Sequence, residues 1–406
     1  MTKRLVLFVV VVGVLALVVA GCGSGSTTTT QSDGGATTSA SDTTATSATS
    51  ETNGEPIRVG VVTSLTGPLA ATGMQVATGV KYAAAEWNEK GGVNGRKIEV
   101  LVEDDKSSPD GAVNAFNALL SKNPSFVVGP TFTPLIMPLA PILEDQGKIP
   151  FFTSATGTPI TKAGGGWFFR LRTNDTQTAA ILIQYGVEEL KAQKPAIIYP
   201  NNDYGKSGLA VMSEYLATKN LKFVAEETFN QGTDKDVSAQ LNKIKSSGAD
   251  LLIGWTVPVD SAMVSVQAAQ IGIGMPILGG PGFGTPEFLK LAQASTEGIK
   301  AIIDSTAGQD EASKDWADKV KAAFPESPVS FVVSAAYDGT SMALAEIAKG
   351  ADSGDKLRDA LAAIKDYQGV TGTYSFDAEH NGLHQGVFIE WKGQKFTPIK
   401  TVVQNQ

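Results

Sequence analysis

The sequence predicts an α/β protein built from two lobes, each a doubly wound parallel sheet. Short β-branched runs alternate with segments of helical apolar spacing from Ile57 onward, and a second series of the same layout begins near Thr176. Repeated strand and helix units of this kind form parallel sheets with helices on both faces. About 350 residues remain once the N-terminal segments described below are set aside, a length that favours two domains.

The N-terminal segment, residues 1–22, has the composition of a secretory signal. Two basic residues precede an apolar run from Leu5 to Val19, and the letters "VAGC" end at Cys22. This pattern is typical of a cleaved export signal, and the apolar run is shorter than the roughly 20 residues that span a bilayer. Because the ending resembles a bacterial lipobox, we expect cleavage before Cys22 and lipidation of that cysteine.

A tether follows the signal. Residues 23–55 consist mainly of Ser, Thr, Gly and Ala. Such a segment buries too little apolar surface to offset its ordering entropy, so we expect a disordered tether between the lipid and the folded domain. The predicted location is therefore extracytoplasmic, with lipid anchoring to the cell membrane.

Composition excludes several kinds of chemistry. Cys22 is the single cysteine, so the exported domain has no disulfide and no thiol nucleophile. The net charge of −8 argues against nucleic acid as a partner, because binding it requires a basic face. His380 and His384 are the only histidines, and they flank an Asn-Gly turn signal, which favours surface residues over a metal site.

The first series of elements alternates strands and helices in order. The strands are "IRVGVVTSL", "KIEVLVEDD", "SFVVGP" and "PFFTS", and the helices between them are "GMQVATGVKYAAAEWNE", "PDGAVNAFNALLSK" and "TPLIMPLAPILEDQG". The last helix contains several prolines, which disfavour an uninterrupted helix.

The second series repeats this layout. The helix "TAAILIQYGVEELKAQ" leads to the strand "AIIYP", a helix after Tyr204 and the strand "KFVAEETF". A helix ending in "KIKSSG", the strand "ADLLIGWT", a helix to Gly272 and the strand "PILGGP" complete it. Two further helices are predicted in "SAAYDGTSMALAEIAKG" and "GDKLRDALAAIKD", followed by short strands with turns in the tail.

The loops after these strands are the expected binding region. Ligands of open α/β sheets bind outside the carboxyl ends of the strands. The loops there are rich in Gly, Ser and Thr, as in "SLTGPLAATG", "GPTFTP", "TSATGT", "YPNNDYG", "GWTVP" and "GGPGFG". Hydroxyls and backbone N–H groups at helix starts suit a carboxylate.

The Gly-Lys-Ser of "YPNNDYGKSG" is not a phosphate loop. That motif requires a glycine five residues before Gly205, where this sequence has Pro200. Proline lacks an N–H and fixes φ, so an anion nest cannot form there. With few histidines and no free thiol, the sequence predicts no catalytic site, no metal and no cofactor.

A family resemblance is carried by "IRVGVVTSLTGPLAATG", "GGVNGRKIEVLVEDDKSSP", "FVVGP", "TSATGTP", "RLRTNDTQTA" and "NNDYGKSGLA". In this order, the motifs resemble the branched-chain amino acid-binding proteins of ABC transporters, which have the type I periplasmic binding protein fold. The resemblance implies a three-strand hinge between one lobe of residues 56–174 plus 304–382 and another of residues 175–303 plus 383–406. It also implies closure of the lobes around a solute and recognition by membrane permease subunits.

The resemblance also implies site residues. The ligand carboxylate would be held by Thr133, Ser154, Ala155 and Thr156, because hydroxyls and N–H groups at a helix start fit that task. Each of the hydroxyls could instead be a helix cap. Tyr204, in "DYG", matches the tyrosine with which the second lobe closes over the solute; the alternative is a core tyrosine.

Two departures from the family's pattern leave the identity of the ligand open. The leucine-binding members hold the ligand ammonium with a glutamate where this chain has "GGPGFG", and Thr72 replaces an aromatic residue. Trp255 and Phe283 are predicted to line an apolar or aromatic pocket, although large side chains of this kind are as often core. Asp260 or Asp338 would supply the missing charge. The family's early disulfide is also absent.

The expected function is an extracytoplasmic, lipid-anchored, monomeric solute receptor of an ABC importer, without catalysis. Its ligand is an amino acid, or a carboxylate or amide such as an aromatic acid. Two alternatives stay open: a ligand sensor of the same fold that feeds a signalling partner, and an enzyme on a two-lobed α/β scaffold.

Overall fold

The computed structural model describes residues 54–308, 310–352 and 354–403. The predicted signal peptide, Cys22 and nearly all of the predicted tether lie outside these residues. Within the described ranges, no helix combines the length and apolar character that a bilayer crossing requires.

Strands and helices alternate along the described chain. The strands are β1 (Ile57–Thr63), β2 (Ile98–Asp104), β3 (Phe126–Gly129), β4 (Phe151–Thr153), β5 (Phe168–Arg170), β6 (Pro195–Pro200), β7 (Ala225–Phe229), β8 (Leu251–Gly254), β9 (Ile277–Gly279), β10 (Lys300–Ile303), β11 (Tyr367–Gln368), β12 (Thr373–Tyr374), β13 (Gln385–Lys392) and β14 (Lys395–Val403). The helices are α1 (Ala70–Glu89), α2 (Pro109–Leu120), α3 (Thr133–Ile136), α4 (Ala140–Ile142), α5 (Ile160–Ala163), α6 (Asp175–Glu188), α7 (Asp203–Thr218), α8 (Ser238–Ser246), α9 (Pro258–Gln270), α10 (Pro286–Ala292), α11 (Lys314–Ala323), α12 (Phe331–Ala348) and α13 (Gly354–Ala362).

The strands form two principal sheets. The first has the order β2-β1-β3-β4-β5, and all its neighbours are parallel. The second has the order β14-β13-β10-β9-β8-β6-β7, parallel from β10 to β7, while β13 and β14 pair antiparallel at one edge. The predicted pair of doubly wound sheets is therefore confirmed, with an antiparallel edge formed by the C-terminal tail.

Both sheets are covered on both faces. Successive strand side chains point to opposite faces of a sheet. Val61 and Val62, neighbours in β1, accordingly lie in two different apolar clusters. Ile197 and Ile198 of β6 do the same in the second sheet. Each of these side chains is fully buried, which stabilises the fold by about 1.5–3 kcal/mol per residue.

One predicted helix is broken into short pieces. After α3, the chain forms a 3₁₀ turn at Met137–Leu139, then α4, then a π-type turn at Leu143–Gly147. Pro134, Pro138 and Pro141 lie in this stretch. Because each lacks an N–H and fixes φ, a regular helix cannot continue through them.

The chain crosses between the sheets three times. It leaves the first sheet after Arg170 and enters α6 at Asp175. It returns after Ile303, and α12 then packs against α1. The last crossing lies between Leu383, which belongs to the apolar core of the first sheet, and Gln385, which begins β13.

A buried acid ties α12 to the loop before the last crossing. The Asp338 carboxylate, 1% exposed, accepts hydrogen bonds from the N–H groups of Val370 and Thr371, both at 2.8 Å. Burial raises the pKa of Asp338 to about 6, and the hydrogen bonds from Thr371 and Val370 oppose that increase. The folded protein therefore holds this proton more tightly than the unfolded chain does.

Asp338 predicts a pH dependence of stability. The stabilisation that protonated Asp338 adds to the free energy of unfolding is fully present below the ordinary pKa of 3.8. It is lost as the pH rises through about 6. The shift corresponds to about 3 kcal/mol. We expect the difference in unfolding free energy between the wild type and Asp338→Asn, measured by urea denaturation, to shrink by about that amount from pH 4 to pH 7. A difference that is constant across this range would contradict the assignment.

Candidate functional site

The three crossings are joined by side chains into one hinge. Arg172 Nη2 in the first crossing lies 2.6 Å from Asp304 Oδ2 in the second. The Thr173 hydroxyl donates to the carbonyl oxygen of Gln385 (2.5 Å), which is in the third crossing, and Gln385 Nε2 donates to the carbonyl oxygen of Asp304 (2.9 Å). Each crossing is therefore bonded to both others.

The loop after β4 is held in place by a buried guanidinium. Arg170, 0% exposed, donates to the carbonyl oxygens of Ala155 and Gly157 and to Asn381 Oδ1. Burial lowers the pKa of Arg170 to about 10, and the charge of Asp175 opposes that change. The loop conformation is thus fixed by the protein itself.

Ala155 has no group left for a solute. Its side chain is fully buried, its N–H donates to the Thr153 hydroxyl (3.0 Å), and its carbonyl oxygen accepts from Arg170. The expected contact between Ala155 and a ligand is therefore corrected: the residue shapes the loop.

Hydroxyl groups from neighbouring loops of the first sheet remain available. The Ser154 hydroxyl, on a residue 4% exposed, bonds no other described residue. Thr133 Oγ1 accepts from the N–H of Gly157 (3.1 Å), which brings the loops after β3 and β4 together and leaves its own proton to donate. Thr72 is partly exposed in the first turn of α1, and its hydroxyl also has no partner within the described chain. Because β1, β3 and β4 are parallel neighbours, their following loops share one edge of the sheet.

Thr156 lies beside Asp175, an acid that no sequence motif indicated. The Asp175 N–H donates to the Thr156 carbonyl oxygen (3.0 Å), and the Thr156 hydroxyl lies close enough to the Asp175 carboxylate to act on its pKa. Burial raises the pKa of Asp175, while the Thr156 hydrogen bond and the charge of Arg172 oppose the increase. The only sequence signal was an acid just after the N-cap of α6, Asn174, which is also what an ordinary first helical turn contains.

Tyr204 lies at the start of α7 with its ring on Trp255. The two rings are stacked, with centroids 5.1 Å apart and planes 18° apart, and Trp255 Nε1 donates to the Tyr204 carbonyl oxygen (3.2 Å). Desolvation, and then the charge of Asp175, hold the pKa of the Tyr204 phenol well above its ordinary value. The phenol is therefore neutral and, among the described residues, it bonds none, so its O–H is free to donate.

Two predicted pocket residues are core residues. Trp255 is 0% exposed, belongs to an apolar cluster of the second sheet and lies beneath Tyr204, whose ring it supports. Phe283 is also 0% exposed and packs on Phe288, with centroids 5.3 Å apart, in space left open by Gly254 and Gly279. Both side chains fill the second lobe.

Both acids proposed as sources of the missing charge are bonded to other groups of the protein. Asp260 accepts from Gln231 Nε2 (3.2 Å), and Asp338 is bonded to the loop described above. The acids whose charges act on Tyr204 are Asp175 and Asp304.

The Gly-Lys-Ser segment serves the packing of α7 on β6. A Cβ at Gly205 would lie 1.9 Å from the Pro200 carbonyl oxygen, so only glycine allows this approach. Lys206 is exposed, and the Ser207 hydroxyl donates to the Tyr204 carbonyl oxygen (3.0 Å). The histidines are less exposed than expected: His384 is buried, and His380 stacks on Phe169, with centroids 4.4 Å apart. No cluster of potential metal ligands occurs in the part of the chain that the structure describes.

Comparisons with known proteins agree with this architecture. Residues 56–395 match the family model described as "Periplasmic binding protein". The Leu/Ile/Val-binding protein homolog 3 of Brucella melitensis is 29% identical over 324 residues, 79% of this chain and 87% of that protein. The crystal structure of LivJ from Streptococcus pneumoniae, a branched-chain amino acid transporter substrate-binding protein in complex with isoleucine, is 30% identical. It covers 86% of this chain and 100% of its own, with a TM-score of 0.76.

A more distant structure shares the fold alone. The solute-binding protein of an ABC transporter from R. palustris, in complex with benzoate, is 20% identical, with a TM-score of 0.73 over 86% of this chain and 96% of its own. The relatives are solute-binding proteins and not enzymes. The predicted family, fold class and lack of enzymatic activity are therefore confirmed.

The close approach of Gly208 to the Trp255 indole, on which Tyr204 stacks, predicts the effect of Gly208→Ala. A Cβ at Gly208 would lie 2.3 Å from Trp255 Nε1, so the indole would have to move. We expect a net loss of about 1–2 kcal/mol, because overpacking outweighs the gain in helix propensity. Thermal unfolding should show a lower Tm, whereas Gly274→Ala, with nothing within 4 Å of the added methyl, should leave it unchanged. Equal Tm values for both variants would show that Trp255 is not held as described.

Proposed function

The chain belongs to the periplasmic binding protein family, and from that premise we propose that it is the extracytoplasmic, lipid-anchored solute receptor of an ABC importer. We further propose that its solute is an α-amino acid. The observation that carries this choice is Asp175, a buried carboxylate beside the Thr156 hydroxyl and close enough to Tyr204 to act on its phenol.

In the proposed complex, neutral donors hold the ligand carboxylate. Ser154 and Thr133 donate their hydroxyl protons from the loops after β4 and β3, and Thr72 donates from the start of α1. A carboxylate needs several donors, and a site that uses hydroxyls holds it without a permanent positive charge.

The ligand ammonium lies against Asp175. In the proposed complex, the Thr156 hydroxyl, which lies near this carboxylate, donates to it and presents its lone pairs to the ammonium. An ammonium in a buried site is costly to bind unless an acid faces it. Asp175 thus replaces the acid that the family's leucine-binding members carry in the loop that is "GGPGFG" here.

Closure joins the two groups of contacts. One lobe, residues 56–174 plus 304–382, carries Ser154 and Thr133, and the other, residues 175–303 plus 383–406, carries Asp175 and Tyr204. Rotation about the hinge brings Tyr204 over the solute, and the permease subunits of the importer recognise the closed, monomeric receptor. Similarity to a relative that binds isoleucine supports an amino acid as the solute.

The proposed ammonium contact predicts the effect of Asp175→Asn. Loss of a charge-assisted hydrogen bond worth roughly 1.5–3 kcal/mol weakens binding about 10- to 100-fold. We expect that loss for L-leucine in isothermal titration calorimetry. The matched control is Asp203→Asn, which changes an exposed acid in the first turn of α7 and should leave Kd unchanged. Equal affinities of Asp175→Asn and wild type would remove Asp175 from the site.

The proposed anchor predicts the effect of Cys22→Ala. In cells that express the full chain, the wild-type protein should incorporate an alkyne-tagged fatty acid. After fractionation, it should remain with the membranes. Cys22→Ala should carry no label and should leave that fraction on carbonate washing, because no other cysteine can accept the lipid. Ser24→Ala is the control for a change in the same segment. Labelling of Cys22→Ala at the wild-type level would exclude this anchor.

A further inference from the structure

We propose that Asp304 sets the specificity of the site as a positioning residue: by pairing with Arg172, it keeps that guanidinium away from Asp175. Asp175 is then available to the ammonium of the ligand. This inference rests on the proposed function and names the residue that maintains its ligand class.

Among the described residues, the guanidinium of Arg172 has one ionic partner in close contact. Arg172 Nη2 lies 2.6 Å from Asp304 Oδ2, with side chains 11% and 2% exposed. The guanidinium carbon lies 4.7 Å from the centroid of the Phe331 ring, so one face of the group rests on an apolar surface. Arg172 Nε is buried and has no hydrogen-bond partner among the described residues. Asp304 is therefore the group that determines where this cation points.

Asp175 is the competing acid. Arg172 lies in the first crossing, three positions before Asp175 at the start of α6, and the charge of Arg172 acts on the Asp175 carboxylate. The other nearby cation, Arg170, is committed to two carbonyl oxygens and Asn381. Arg172 is thus paired with Asp304 and close enough to Asp175 for its charge to act on that carboxylate.

The backbone of the hinge holds Asp304 in this role. Asp304 directly follows β10, and its carbonyl oxygen accepts from Gln385 Nε2, whose own carbonyl oxygen accepts from Thr173. The backbone of Asp304 is therefore linked to both other crossings, so Asp304 stays in place when the Arg172 side chain moves. Arg172, with a long side chain and an unsatisfied Nε, is the mobile partner of the pair.

The consequence is a difference in ligand class. With Asp304 present, Arg172 is held in that ion pair, and the Asp175 carboxylate has no ion-pair partner among the described residues, so it can face a cation. Without Asp304, Arg172 pairs with Asp175 because an unpartnered buried charge is unfavourable, and the Asp175 carboxylate is no longer available to a ligand. A solute with an ammonium then loses its advantage over one that has only a carboxylate.

The test compares two ligands that differ in the ammonium alone. Calorimetry measures Kd for L-leucine and for 4-methylpentanoate with the full chain carrying no substitution, Asp304→Asn, or Arg172→Gln together with Asp304→Asn. We expect the wild type to bind L-leucine at least tenfold more tightly than 4-methylpentanoate. Asp304→Asn should reduce this ratio of Kd values at least tenfold, and the double variant should restore most of it. A merely structural defect would not be reversed by a second buried substitution.

The control is Asp260→Asn, a buried acid of the second lobe whose partner is Gln231. It should retain the wild-type preference. If Asp304→Asn binds L-leucine with an unchanged preference, or if the double variant remains as unselective as the single one, the role of Asp304 is wrong while the receptor function stands. If the wild type binds neither probe, nor benzoate, the proposed function fails and this inference fails with it.

Discussion

The buried guanidinium of Arg170 is the constraint on which the rest of the site depends. A charge without solvent is unfavourable unless its hydrogen bonds are satisfied. Arg170 meets that requirement with carbonyl oxygens of the loop after β4 and with Asn381 just before the third crossing. The same bonds that stabilise the cation therefore fix the loop that carries Ser154 and Thr156. A loop ordered in advance loses less entropy when it binds a solute.

The apolar cores of the two lobes are separate from each other. Among the described residues, each apolar cluster belongs to one sheet and its covering helices, and none spans both. The lobes are thus internally packed, and polar contacts such as Arg172–Asp304 and Thr173–Gln385 join the crossings. Close-packed cores resist continuous deformation, so a change in lobe orientation is absorbed at the crossings. The bonds between crossings also make them move together.

Periodicity and turn residues were sufficient to predict the two sheets, because burial on both faces leaves β-branched runs that are visible in the sequence. Tyr204 was singled out by its match to the family's tyrosine and by its position after a strand, and its contact with a solute stays a prediction. The positions of Trp255 and Phe283 could not be predicted. The sequence pattern of an aromatic residue near a strand end is the same whether the side chain faces a cleft or fills space left by glycines such as Gly254. Asp175 was missed because an acid in a first helical turn is common. Its partner Thr156 is distant enough in the chain that only the fold brings them together.

Ligand-driven closure requires a solute that binds the closed arrangement better than the open one. In the proposed complex, a carboxylate alone bonds the hydroxyls of Ser154 and Thr133, which belong to the first sheet, and gains little from the second. An ammonium on the same carbon reaches toward Asp175, at the first helix of the second lobe, and brings the ligand under Tyr204. The proposed zwitterion therefore has contacts on both sides of the cleft, and the contact with Tyr204 forms only when the lobes approach. In this arrangement, selectivity for the ammonium and the drive to close arise from the same buried carboxylate.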